Sequence, residues 1–279
     1  MNAITSRDNP KLKAVRALVR SKKEREQHSC FIIEGVRALD ALIAGTALPQ
    51  YNLREIWQSN KVGRAVLSAP RTDGTSVPTY EIPHDFMEQL SDCRTSQGIL
   101  GVVEYKPAPL EINPEQGNYL LLDRVMDPGN MGTLIRSAVA FGLDGVLMHG
   151  DCVEVFNPKT VRATMGALPF CRFAAVPPVA GRPHFVSNVW KTGDEIFQSL
   201  ETLGYDLIAT AMTGGENLHG MTFGPKNVLV IGNEANGVCD EILQKANRRL
   251  SIPMSGKVES LNAAVAGSIC MCAICGAKN

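Results

Sequence analysis

Neither sign of charge is in excess in this chain: 28 Lys and Arg stand against 28 Asp and Glu. A strongly basic nucleic-acid binder that holds phosphates through its overall field is therefore disfavoured. Long apolar runs are also lacking. None reaches the roughly 18 residues that a membrane span needs, and no charged, then apolar, then small-residue leader opens the chain. The expectation is a cytoplasmic protein with no membrane attachment. Zinc spacing is missing too. The eight cysteines are scattered, and Cys272 and Cys275 form a C-x-x-C with no second pair to complete four ligands. They read as small buried hydrophobes in a reducing compartment, with a metal or redox role as the alternative. Histidines number five, and none lies in the loops singled out below, so a Ser-His-Asp hydrolase lacks its base. No internal repeat or low-complexity tract is present.

What is present suits a globular protein: 44% hydrophobic and 20% charged residues, in a length of 279 that accommodates two domains. Residues 7–25 gather Arg7, Lys11, Lys13, Arg16, Arg20, Lys22, Lys23 and Arg25 against Asp8 and Glu24. This is either a phosphate-neutralising face or a solvated helix face. Asn9, Pro10 and the spacing of Leu12, Val15 and Leu18 predict one helix over residues 9–26. FIIEG (31–35), LREIW (53–57), AVLSA (65–69) and GILGVVEY (98–105) predict strands. Helices are expected at 36–44 and, after TYEIP, near 85–90. The alternation predicts a small α/β domain over residues 1–105 and a proline-rich linker at 106–118. From 119 to 279, apolar strands (119–125, 144–150, 171–176, 205–211, 227–232 and 249–253) alternate with helices near 131–141, 157–167, 194–203, 240–246 and 260–275. That pattern predicts a mainly parallel sheet covered on both faces.

In such sheets ligands sit beyond the carboxyl ends of the strands, which directs attention to three loops. In DPGNMGTLIRSA (127–138), Asn130 reads as a helix cap, and Arg136 as a fork for phosphate or an ordinary surface arginine. In VLVIGNEANGV (228–238), Gly232 and Gly237 permit a tight loop whose backbone can face a ligand, with Glu234 at the strand end; the alternative is a plain turn. The glycine spacing is not that of a dinucleotide fingerprint. In IPMSGKVESLNAAVAG (252–267), Ser260 is either the cap of an apolar helix or a functional hydroxyl, and Gly256-Lys257 does not complete a P-loop.

Together and in this order, the three segments resemble the motifs of the SpoU, or TrmH-like, branch of the SPOUT RNA methyltransferases. VRATMGALPF (161–170), with Thr164 and Met165 before Gly166, is similar to an intermediate segment of that family. FIIEGVRALDAL (31–42) and SDCRTSQGILGVV (91–103) resemble its attached RNA substrate-binding domain. One departure is Ala264, where the family commonly carries serine.

The resemblance implies a C-terminal α/β domain, its mainly parallel sheet tied in a trefoil knot, preceded by a smaller ribosomal-protein-like α/β domain. It implies S-adenosylmethionine as cofactor, with contacts at Thr210, Ala211, Gly232, Ile252 and Leu261, and no metal. The catalytic positions would be Arg136, Asn130, Glu234, Ser260 and Asn262. It further implies a homodimer through the C-terminal domain, with the last helix in the interface. The reaction would be methylation of a ribose 2′-hydroxyl, in ribosomal rather than transfer RNA. The rivals are a tRNA-directed enzyme, a non-catalytic RNA-binding assembly factor on the same fold, and a nucleotide-binding oxidoreductase, which lacks its glycine fingerprint.

Overall fold

The computed structural model describes residues 2–62, 76–91, 96–106, 108–176 and 193–276. The strand expected at 65–69, and residues 92–95 of the second N-terminal segment, lie outside the described residues. The chain divides into two compact units: Met1–Lys106 with Glu154–Phe170, and Pro107–Val153 with Cys171–Asn279.

The first unit is built on β1 (Asn2–Ala3), β2 (Cys30–Glu34), β3 (Tyr51–Ser59), β4 (Thr79–Ile82) and β5 (Ile99–Tyr105), in the order β1-β4-β3-β5-β2. β5 is antiparallel to β2 and β3, whereas β4 is parallel to β3. Helices α1 (Pro10–Arg20), α2 (Lys22–His28), α3 (Val36–Ile43) and α4 (His84–Leu90) belong to it. Leu12, Val15 and Leu18, one face of α1, fill a core with Trp57, Phe86 and Met87. The single helix expected over 9–26 is two. Ser21 is extended (φ −120°, ψ 118°), and its Oγ accepts from the Glu24 amide at 3.3 Å. Ser-x-x-Glu is the spacing of a helix start. Several cations of residues 7–25 are committed inside the unit: Arg7 to Asp85 at 2.8 Å, Lys13 to Asp8 at 2.9 Å, Lys11 to the Tyr80 hydroxyl at 2.6 Å.

Residues 154–170 lie in this unit, although their sequence position is inside the second domain. Phe156 stacks on Phe31 at 4.4 Å between centroids, and Arg25 forks onto Glu154 at 2.6 and 2.7 Å with both side chains buried. The short helix α6 (Pro158–Ala163) packs against β2. It ends earlier than the expected 167: Met165 turns left-handed (φ 51°), and Gly166 runs so close to Ala38 that a Cβ would stand 3.2 Å from its Cα.

In the second unit, β6 (Gly117–Asp123), β7 (Gly145–His149), β8 (Phe173–Val176), β9 (Asp206–Thr210), β10 (Glu216–Asn217), β11 (Lys226–Ile231) and β12 (Arg248–Ser251) make one sheet. Its order is β10-β12-β9-β11-β6-β7-β8, with every pairing parallel. β6 and β7 are buried along their whole length, as a sheet covered on both faces requires. Helices α5 (Pro128–Ala140), α7 (Gly193–Thr202), α8 (Asp240–Lys245) and α9 (Ala263–Gly276) complete the unit. Leu121, Leu147, Ile196, Leu207, Val230 and Ile242 share a core. Part of the expected linker joins it: Leu110 is buried in that core, and the Tyr205 hydroxyl donates to Asn113 O at 2.7 Å. α9 packs on α5 and β11 at Gly267, where a Cβ would meet Leu134 Cδ2 at 2.4 Å.

Candidate active site

Strands β12, β9, β11 and β6 lie side by side and run the same way, so their carboxyl ends open along one edge. A cavity of about 280 Å³ lies there. It is lined by residues 210–213 after β9, 231–238 at the end of β11, Ile252 and Met254 after β12, and Ser260 and Leu261 before α9. All five positions expected to touch a cofactor, Thr210, Ala211, Gly232, Ile252 and Leu261, line this cavity.

Gly232 has no room for a side chain: a Cβ would stand 2.1 Å from the Gly237 carbonyl carbon and 2.2 Å from Val238 N. The chain folds back on itself there. Asn233 N donates to Gly237 O at 3.0 Å and Gly237 N to Asn233 O at 2.9 Å. Asn233 Oδ1 accepts from the Ala235 and Asn236 amides at 3.0 and 3.1 Å. One wall of the cavity is thus a closed loop.

A chain of hydrogen bonds joins the three segments singled out in the sequence. Glu234 accepts from Asn130 Nδ2 at 2.9 Å and from the Asp127 and Met126 amides at 3.2 and 3.3 Å. Asn130 Oδ1 in turn accepts from Asn262 Nδ2 at 2.9 Å. Burial works to raise the Glu234 pKa, but the donors from Asn130 and the loop amides outweigh it, and the carboxyl sits below its ordinary range.

Two caps differ from expectation. Asp127, not Asn130, caps α5: its Oδ1 accepts from Asn130 N at 2.7 Å, and the helix begins at Pro128 rather than 131. Asn262, not Ser260, caps α9 through bonds from the Ala264 and Val265 amides at 2.9 and 3.2 Å. In each case the residue just before the first helical turn carries the acceptor. Ser260 is left exposed at the cavity. Arg136 is exposed on α5, does not line the cavity, and forms no ion pair among the described residues.

A second polar cluster escaped the sequence reading. Asp123, fully buried at the end of β6, accepts from Arg124 Nε and Nη2 at 3.1 Å each and from Cys239 N at 2.8 Å. His149 Nδ1 lies 3.0 Å from Asp123 Oδ1; because an ionised carboxylate only accepts, that nitrogen carries the proton. Burial opposes the charge, yet the bonds from His149, Arg124 and Cys239 bring the carboxyl down to about 2. Asp123, His149 and Cys239 offer metal-ligand atoms within 4.8 Å of one another. Both carboxylate oxygens are already taken by N–H donors, one a guanidinium, so the cluster is a hydrogen-bond centre. The sequence signal was there: an apolar strand ending in adjacent Asp and Arg. Elsewhere, burial pushes the thiols of Cys152, Cys171 and Cys270 up to about 12, which leaves them inert.

An all-parallel sheet with its cavity at the carboxyl ends, walled by a glycine-closed loop and flanked by an apolar C-terminal helix, defines the class: a ligand-binding α/β domain of the open parallel-sheet type. The model of the SpoU rRNA Methylase family matches residues 117–272, and that of an MRM3-like substrate binding domain matches residues 9–101. The chain belongs to the SpoU rRNA Methylase family. It is 29% identical to the 23S rRNA guanosine 2′-O-methyltransferase RlmP of Bacillus subtilis, over 96% of this chain and 97% of that protein. A 23S rRNA uridine 2′-O-methyltransferase of Streptomyces viridochromogenes is 29% identical over 95% of this chain and 88% of its own. The crystal structure of an AdoMet-bound rRNA methyltransferase from Sinorhizobium meliloti matches with a TM-score of 0.80 at 28% identity, covering 98% of this chain and 97% of that one. Among the described residues, no helix is long and apolar enough to cross a membrane.

Proposed function

We propose that this chain transfers the methyl group of S-adenosylmethionine to a ribose 2′-hydroxyl of ribosomal RNA, working as a homodimer in the cytoplasm. The observation that carries the reading is the cavity where the three segments converge. Its lining pairs the aliphatic residues Ile231, Leu250, Ile252 and Leu261 with the polar residues of the closed loop, which suits the flat faces and polar edge of an adenosine. Among the described residues no Lys, Arg or His lines it, and the one charged group in that lining is the Glu234 carboxylate. That argues against a phosphate ligand and for one carrying a positive charge. Bound there, the cofactor supplies an electrophilic methyl group on a sulfonium.

A ribose hydroxyl is a weak nucleophile and needs placement and help in losing its proton. Arg136, exposed on α5, is a rigid fork for the phosphate beside the target ribose. A guanidinium pKa above about 12 makes it a poor base, so its part is positioning and charge. Ser260, exposed at the cavity, orients the ribose. Asn130, Glu234 and Asn262 spend their hydrogen bonds on one another and on helix caps, so their part is to hold the three loops in register. Val265 and Ile269, 48% and 38% exposed one turn apart on α9, belong to the face where a second copy docks. α5 lies alongside, joined to α9 by Ser137 and Ser268 at 2.7 Å. The return of residues 252–261 to the cavity walled by 232–238 supports the knotted crossing. Ribosomal RNA is favoured because relatives that act on it align over both units of the chain.

The test is transfer of label from S-adenosylmethionine to total RNA, separated into ribosomal and transfer fractions, by wild type and Arg136→Ala. Label in ribosomal RNA as a 2′-O-methyl nucleotide, absent with the variant while cofactor binding persists, is the expected result. Label in transfer RNA would overturn the substrate assignment, and loss of cofactor binding in the variant would overturn the role of Arg136.

A further inference from the structure

Asp123, Arg124 and His149 have no task in the mechanism above, and Asp123 and Arg124 stand outside the cavity lining. Arg124 nevertheless holds a left-handed backbone (φ 54°), a conformation that L residues avoid. It does so at the end of β6, facing the closed loop. There its carbonyl accepts from Asn233 Nδ2 at 2.9 Å, and its Nη2 lies 3.5 Å from Gly237 O. The same guanidinium forks onto Asp123, whose Oδ2 accepts from Cys239 N at 2.8 Å. His149 fixes Asp123 from the other side, and Gly150 leaves space for the arginine stem, since a Cβ there would meet Arg124 Cγ at 2.7 Å.

We infer that Asp123 and Arg124 are positioning residues for cofactor binding: one dipeptide grips the closed loop at residues 233 and 237 and the chain leaving it at 239, and fixes the shape of the cavity wall. The inference rests on the cofactor assigned above. A loop already held in its binding shape loses less freedom when a ligand arrives. The grip also sets where Glu234, a charged group of the cavity lining, stands in the loop between positions 233 and 237.

The test uses the full chain with Arg124→Asn, which tolerates the left-handed backbone, and Arg124→Lys, which keeps the charge without the fork. S-adenosylmethionine binding is measured by calorimetry, methyl transfer is followed against cofactor concentration, and amide exchange is read over residues 233–239. Arg124→Asn should weaken cofactor binding about tenfold through lost pre-organisation. It should raise KM for the cofactor with kcat preserved at saturation, and speed exchange at Gly237 and Cys239 before cofactor is added. Arg124→Lys should fall between, and carries the comparison if the asparagine variant does not fold. Unchanged cofactor affinity and exchange in a folded variant overturn the inference, as does a fall in kcat at unchanged KM. A wild type that binds no S-adenosylmethionine overturns the cofactor assignment itself.

Discussion

Asn130 offers the sharpest perturbation, because a single amide bonds to both of the other segments. It is 8% exposed, donates to Glu234 at 2.9 Å and accepts from Asn262 at 2.9 Å. Asn130→Ala removes one bond to a charged group, about 1.5–3 kcal/mol, and one neutral bond, about 0.5–1.5 kcal/mol. Alanine returns roughly 0.6 kcal/mol of helix propensity inside α5. The net loss should be about 2–3 kcal/mol, or about 5–10 °C in the melting temperature of a domain this size. Calorimetric melting of wild type, Asn130→Ala, Asn262→Ala and the double variant gives the coupling directly. The bond they share should appear as a non-additivity of about 0.5–1.5 kcal/mol. Asn130→Asp sharpens the test, since it sets a second carboxylate against Glu234 and one of the two must hold a proton. Their shared pKa is raised, so the deficit of this variant is present at neutral pH and shrinks as the pH falls through that pKa. Additive single variants, or an Asn130→Asp deficit equal at pH values near 5 and 8, would refute the network.

Two further outcomes follow from the geometry. Gly232→Ala should open the loop, because a Cβ would stand 2.1 Å from backbone carbon. Overpacking costs about 1–3 kcal/mol, and cofactor affinity should fall at least about tenfold; wild-type affinity in a folded variant would remove the loop from the cofactor site. Asp123 is depressed from 3.8 to about 2. Its contribution to stability, roughly 2 kcal/mol, is therefore complete above its unfolded pKa and is lost as the pH falls through the folded one. The stability gap between wild type and Asp123→Asn should close between about pH 4 and pH 2; a gap that stays constant in urea titrations across that window would show that Asp123 is not held as described.

The strands of the second unit were legible because a sheet covered on both faces demands continuous apolar runs, and residues 119–122 and 228–231 are such runs. The loops were legible because Gly232, Gly237 and the acid beside them interrupt those runs at a strand end. The caps were not. Asp127 and Asn130, or Ser260 and Asn262, are equally good acceptors on paper, and only the backbone angle decides which one precedes the helix. The break at Ser21 was written in Ser-x-x-Glu, but the apolar spacing of α1 masked it. Asp123 and Arg124 went unnoticed because neighbours on a strand face opposite ways. The left-handed turn at Arg124 brings them onto one side. The allegiance of residues 154–170 could not be read at all, since a local pattern says that Phe156 is buried but not in which core.

That last segment also sets an order of events during synthesis. The first unit is assembled from two separated stretches, and its aromatic stack needs Phe156 as well as Phe31. It is not complete until residue 170 has been made, and β6 and β7 precede that residue in the chain. The strands that carry the cavity, β9, β11 and β12, emerge only afterwards. Every residue of the first unit thus precedes the strands that carry the cavity. For the same reason a single cut near residue 106 does not release a whole first unit: it parts the buried Glu154 carboxylate from Arg25 and the Phe156 ring from Phe31. Neither unit is one continuous stretch of chain, so neither can be exchanged as a single cassette.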